Sequence, residues 1–417
     1  MTIFHKSSYI IGAVCCLLIS CGPKEYPAIG NTELQLFDRQ IVQFDPEIGD
    51  IQETGHQIEL DNGRIVLTKV QIPLYERRVS ANLHLTLQSN GDRWDKSGSV
   101  FMFPADQDIN LIEIKKGLRK FPASAAIKED FVGVLPAKGY TPAQELMRFM
   151  TPFGVGYYSQ DTVQATKNRK PAYIAKWEDQ VDWDQDITDR LPAMMGKEVY
   201  IGIWIDTWTK QGYKVSADIR IKEAHLANDV RPQTVAIPLL NTIAYTGPQQ
   251  AFDYLSRQPL TFDFEVPSNL QDAQIKYLIT GHGGHSGGDE FVKNPNQIFV
   301  DGQLMLDFTP WRDDCASFRR FNPGSGVWME AVDSAQWLDW KKMEYVNGDI
   351  QERVASSDFS RSNWCPGSVV DPVEIKLGDL TQGKHQLKIA LPNSQPTTGQ
   401  EHNHWLISAY LVGELAQ

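Results

Sequence analysis

The most constraining feature of this chain is a two-residue hydrophobic period that returns along most of its length. Val79, Ala81, Leu83, Leu85 and Leu87 are apolar, while Ser80, Asn82, His84, Thr86 and Gln88 between them are polar. A pleated strand sends successive side chains to opposite faces, so this stretch reads as a strand with one face buried. Val199, Ile201, Ile203 and Ile205 repeat the pattern, as do Val215, Ala217, Ile219 and Ile221, and later Leu387, Ile389 and Leu391. Helical spacing is scarce, and "TPAQELMRFM" at 141–150 is the best short candidate for it. Proline and glycine punctuate the remainder at strand-and-turn intervals. These signals predict an all-β chain of sandwich type.

A length of 417 residues exceeds what one hydrophobic core usually serves, which points to two large β domains. The strand pattern breaks in "NDVRPQTVAIPLLNTIAYTGPQQ", which places a boundary near residue 240. Residues 104–143 read as a long insertion between strands. The formal charge of -12 argues against nucleic acid as a partner.

At the N-terminus Lys6 precedes the apolar run "YIIGAVCCLLIS", which Gly22 and Pro23 end too soon for a membrane span. It reads as a secretory signal, and Leu18-Ile19-Ser20-Cys21 resembles the lipobox of bacterial lipoproteins, in which the cysteine carries the lipid. An ordinary signal peptide with incidental cysteines is the other reading. The expected organisation is a leader over 1–21, an extension or tether over 22–60, and domains over 61–240 and 241–417. The lipidated Cys21 implies a cell-envelope protein held at the outer membrane, facing either the surface or the periplasm. Removal of Cys15 and Cys16 and acylation of Cys21 leave Cys315 and Cys365. An exported chain is expected to join them, stabilising it by roughly 4 kcal/mol on the chain-entropy account, with two separate buried thiols as the alternative.

Three stretches carry chemistry. "ITGHGGHSGGDEF" at 279–291 holds His282, His285, Asp289 and Glu290, all zinc ligands in kind, within glycines that equally suit a loop delivering one carboxylate. On the strand from Val199 to Trp208, Tyr200, Trp204, Asp206 and Trp208 fall on the face opposite the isoleucines. Indole faces beside a carboxylate suit the C–H face and hydroxyls of a sugar, though the same tryptophans would serve as packing beneath a second domain. "NGDRWDKSGSV" puts Asp92, Trp94 and Asp95 on a loop following a strand.

"GDRWDKSGSV", "RFMTPFGVG", "DITD", "DTWTKQGYKVSADIRI", the "GHGGH" to "DEF" stretch and "SRSNWCPG" occur in the order of matching segments in the peptide-N-glycosidase F family, and the chain resembles that family over roughly 65–415. The resemblance implies two antiparallel eight-stranded jelly-roll domains side by side, with a metal-free active site in the cleft between them and no cofactor. It also implies hydrolysis of the amide joining asparagine to the innermost N-acetylglucosamine. Asp95 matches the principal catalytic aspartate and Glu290 a supporting glutamate. Asp206 stands where the family usually has a glutamate, one methylene longer. Trp208, Arg361 and Trp364 match residues lining the glycan cleft, and Trp94 and Lys96 join the substrate-binding set. Lys96 replaces an arginine, Phe153 a tyrosine, and His282 a tryptophan.

On this reading the glycine loop serves to place Glu290, and no metal is expected. Crowding Asp95, Asp206 and Glu290 would make at least one of them hold its proton more tightly than in water. The partners implied are N-glycosylated proteins or peptides, met by a monomer. A glycan-binding lipoprotein without turnover and a glycoside hydrolase are the rival readings.

Overall fold

The computed structural model describes residues 25–123, 132–160, 174–246, 254–283, 288–325, 328–396 and 403–416. The leader with Cys21, and His285 with its neighbours Gly284 and Gly287, lie outside these residues. Of the described residues 49% are strand and 8% helix, in antiparallel sheets.

Two sandwiches follow one another. In the first, a sheet ordered Thr32–Val42, Tyr213–Glu223, Val79–Ser89, Val181–Asp186 packs on a larger one. The larger runs Val369–Val370, Gln144–Met150, Ser97–Pro104, Glu198–Ile205, Ile65–Gln71, Gln57–Leu60, Ile51–Thr54. The alternating apolar residues Ala81, Leu83, Leu85 and Leu87 meet Val199, Ile201, Ile203 and Ile205 in a single core, as period-two patterning requires. In the second, Thr234–Asn241, His404–Leu415, Leu270–His282 and Val373–Leu380 face Leu260–Val266, Gly383–Ala390, Asn296–Val300 and Gln303–Phe308. Thr234–Asn241 thus pairs within the second sandwich, so the chain passes between the two before Thr234, upstream of the composition break near 240. The extension is woven into the first sandwich, Thr32–Val42 pairing with Tyr213–Glu223.

The segment offered as a helix is a strand. All seven residues of Gln144–Met150 are buried, because one face lies on the first core and the other on the second sandwich. With no solvent face, nothing enforces alternation, and the segment loses the mark of a strand.

The sandwiches are joined by a shared apolar layer in which Phe101, Phe103 and Trp204 meet Ile243, Tyr245 and Leu406. Within it Arg148 pairs with Glu145 at 2.7 Å and donates to the Leu406 carbonyl at 2.6 Å, while Ser408 Oγ donates to Glu145 at 2.5 Å. A buried ion pair with its remaining valences satisfied adds little net stability but resists sliding, since any shift strands a charge. A disulfide joins Cys315 to Cys365. Between these cysteines the chain makes a two-stranded arm, Trp328–Asp339 with Glu344–Ala355.

Candidate active site

Asp95 is held by its backbone. After the strand ending at Ser89 the chain turns through Asp92, a buried carboxylate that accepts from Thr207 Oγ1 at 2.7 Å, Thr209 Oγ1 at 3.2 Å and the Trp94 amide at 3.0 Å. Tyr213 donates its hydroxyl to the Trp94 carbonyl at 2.5 Å, and the Lys96 amide donates to Thr151 Oγ1 at 2.8 Å. Both flanks of Asp95 are therefore pinned, and its side chain keeps 17% of its surface exposed.

Glu290 arrives from the second sandwich. The strand Leu270–His282 runs further than the glycine pattern implies, taking in Gly281 and His282, and Gly283 just past it takes φ +97°. Gly281 is required by space: a Cβ there would sit 2.8 Å from the Asp289 carbonyl and 2.9 Å from Ser362 Cβ. Asp289 is fully buried and accepts from Asn294 Nδ2 at 2.7 Å, Ser394 Oγ at 2.9 Å, Trp405 Nε1 at 2.9 Å and the Gln395 amide at 3.0 Å. It is an anchor for the loop. Among the described residues no three His, Cys, Asp or Glu side chains gather as a metal site.

Arg361 joins the two acids. Its Nε donates to Glu290 Oε1 at 2.9 Å, its Nη2 lies 3.5 Å from Asp95 Oδ2, and its Nη1 donates to the Phe359 carbonyl at 3.1 Å. The side chain is 2% exposed and its guanidinium carbon lies 4.7 Å from the centroid of Trp364 and 5.1 Å from that of Phe291. Trp364 stacks in turn on His282 at 5.4 Å, and His282 on His404 at 5.1 Å. Trp364 also ties its own segment to the strand Leu270–His282, its indole N–H donating to the Gly281 carbonyl at 2.9 Å.

Loss of water dominates the electrostatics. Desolvation pushes Glu290 up to about 7, the charge of Asp95 adding to the rise and Arg361 opposing it. Asp95 is also raised, desolvation outweighing the pull of Arg361 and Lys96. Burial holds His282 well below the usual imidazole range, so it is neutral, and it exchanges a hydrogen bond with Thr280 Oγ1 at 2.8 Å. Asp206 is raised by desolvation against Arg64, Lys96 and His404. Crowding of acids is thus the smaller cause: the charge of Asp95 at Glu290 and that of Asp92 at Asp95 each add less than desolvation does.

The strand carrying the tryptophans ends at Ile205, one residue before Asp206. Trp204 is 4% exposed and meets Tyr245 edge-on at 5.8 Å, so it packs beneath the other sandwich and takes no part in the cleft. Asp206 and Trp208 lie beyond the strand. The Asp206 amide donates to the Ser97 carbonyl at 2.9 Å, and Trp208 Nε1 donates to Asp206 Oδ1 at 3.1 Å. Trp94 and Trp208 are exposed, at 45% and 57%, each with an arginine over one ring face, Arg93 and Arg64 respectively.

Residues 33–221 match the family described as "Peptide-N-glycosidase F, N terminal", and residues 251–412 match its C-terminal counterpart. The chain belongs to the peptide-N-glycosidase F family. A solved structure of PNGF-II is 30% identical with a TM-score of 0.77, covering 93% of this chain and 66% of its own, so the chain spans about two thirds of that protein. A recombinant peptide:N-glycanase F is 13% identical, with a TM-score of 0.56 over 93% of this chain and 96% of its own. PNGase F, a glycosylasparaginase from Flavobacterium meningosepticum, is 13% identical with a TM-score of 0.54 and the same coverage. These two share the fold. No match was found among curated proteins.

Against this peptide-N-glycosidase F frame, Asp95, Glu290, Arg361, Trp364 and His282 form one contiguous group. Asp206, Trp208 and Arg64 form a second, with Lys96 acting electrostatically on both Asp95 and Asp206. Sequence reasoning missed Arg64, which looks like the end of an Asn-Gly turn, and His404, for which the only signal was the histidine pair in "EHNHW".

Proposed function

We propose that the chain hydrolyses the amide between asparagine and the innermost N-acetylglucosamine of N-glycans on proteins or peptides. The observation that carries this is the shared guanidinium of Arg361, which brings Asp95 from one sandwich and Glu290 from the other to a single partly open point. Asp95 takes a proton from water as its oxygen adds to the side-chain carbonyl carbon. The tetrahedral intermediate then expels the sugar-bound nitrogen, which receives a proton from Glu290, a carboxyl poised near neutrality for that transfer. The products are aspartate on the peptide and a glycan ending in a glycosylamine. Exposed Trp94 and Trp208 give the sugar apolar faces to lie against. No metal or cofactor enters the proposal.

Incubation with a defined glycopeptide, followed by mass spectrometry, tests it. Conversion of the glycosylated asparagine to aspartate supports the amidase. Retention of one N-acetylglucosamine on asparagine would instead make the protein a glycoside hydrolase, and binding without product would make it a glycan-binding protein. Asp95→Asn is expected to abolish turnover while keeping glycan affinity.

We further propose that the protein is exported, held at the outer membrane through Cys21, and acts as a monomer; the leader sequence supports the export and the anchor. Metabolic labelling with a fatty acid, lost in Cys21→Ser, tests the anchor.

A further inference from the structure

Asp206 is one methylene shorter than the glutamate expected at its place, so its own side chain reaches less far toward the cleft. We propose that Arg64 is a positioning residue of this site, holding the Asp206 carboxylate and the Trp208 ring as one rigid subsite for the sugar. The inference rests on the amidase reading.

Arg64 Nη1 lies 3.1 Å from Asp206 Oδ1, and its guanidinium carbon sits 4.2 Å from the Trp208 ring centroid. Trp208 Nε1 donates to the same Oδ1, closing a three-membered clamp and leaving Oδ2 as the oxygen available to a substrate hydroxyl or N–H. Behind it, Arg64 pairs with Asp61, and Asp61 is held by Lys115 at 2.9 Å. Exposure separates the roles. Asp206 and Trp208 remain 44% and 57% open, while the Arg64 side chain is 9% exposed. Arg64 is thus placed to aim the groups that touch sugar without touching it. Reach errors of about 1 Å can cost a hundredfold in rate, which is the scale of one methylene. With Nη1 on Asp206 and Nη2 on Asp61, the guanidinium fixes where the shorter acid points.

The test compares wild type, Arg64→Met, Arg64→Lys, Asp206→Asn and the double variant Arg64→Met/Asp206→Asn on one glycopeptide. Arg64→Met should lower kcat by about a hundredfold with a small change in KM. Arg64→Lys, which keeps charge but lacks the fork, should recover only part of it. In the Asp206→Asn background the Arg64→Met change should cost clearly less than in wild type, because the part of its effect that passes through Asp206 is already lost and only its hold on Trp208 remains. Wild-type rates in Arg64→Met, or full additivity in the double variant, would overturn the assignment; should Arg64→Met fail to fold, wild-type rates in Arg64→Lys would do the same.

If wild type itself yields no product, the amidase reading fails and the clamp is judged by carboxyl NMR, with Asp206→Asn supplying the assignment. Arg64, Lys96 and His404 are the charged and titratable groups acting on Asp206. Removing Arg64 should move its titration upward, and an unmoved titration overturns the inference.

Discussion

Arg361 Nε donates to Glu290 Oε1 at 2.9 Å, across 71 residues of sequence, and the same guanidinium lies 3.5 Å from Asp95. One cation therefore fixes the distance between an acid of the first sandwich and an acid of the second. The aromatic stack of Trp364, His282 and His404 beneath it keeps that cation from moving.

Arg361→Met should remove the side chain that links the two carboxyls. Both acids then lose a charge that opposes their protonation, and kcat/KM on a glycopeptide is expected to fall by at least about a hundredfold. Arg361→Lys should recover little, because an ammonium cannot serve Glu290, Asp95 and the Phe359 carbonyl together.

Glu290 sets a pH dependence whose sign follows from its raised pKa. Folding lifts it from 4.5 to about 7, so the folded state binds this proton more tightly than the unfolded one. No penalty arises below about 4.5; stability is lost as pH climbs from there through 7, by about 1–3 kcal/mol. Glu290→Gln should flatten this decline in urea titrations at several pH values. It should also abolish the alkaline limb of the rate profile near pH 7 together with most of the activity.

Gly281→Ala should lower stability by about 1–3 kcal/mol, because the added carbon has no room between the Asp289 carbonyl, Trp405 and Ser362. Relief of that overlap displaces Glu290, whose carbonyl accepts from the Ser362 amide at 2.9 Å. Thermal melts and glycopeptide turnover should therefore fall together.

Cys365→Ser should cost about 4 kcal/mol of stability through the lost 50-residue constraint, measured by denaturant unfolding under non-reducing conditions. Cys365 directly follows Trp364, so activity should decline at temperatures well below the melting transition as the support of Arg361 loosens.

Much of the fold was legible because a half-buried strand writes its environment into the sequence. Val79–Ser89 reads buried and partly exposed in strict alternation, and so does its apolar pattern. Gln144–Met150 was not legible, since burial on both faces erases the period. Of the site, Asp95, Glu290 and Arg361 could be picked out by the order of short motifs. Trp204 could not be told from Trp208 by strand parity, because the strand stops at Ile205 and parity has no meaning after it. Arg64 carried no local signal: its meaning lies in Asp206, 142 residues away.

By itself the sequence determined where strands form and which chemical groups the chain possesses, because backbone pleating and side-chain type are local properties. Only the tertiary structure decided which acids share a cation and how much water each one keeps. Those depend on segments from two sandwiches closing on one another, and removal of water, which no local pattern records, is the largest cause raising Asp95, Asp206 and Glu290.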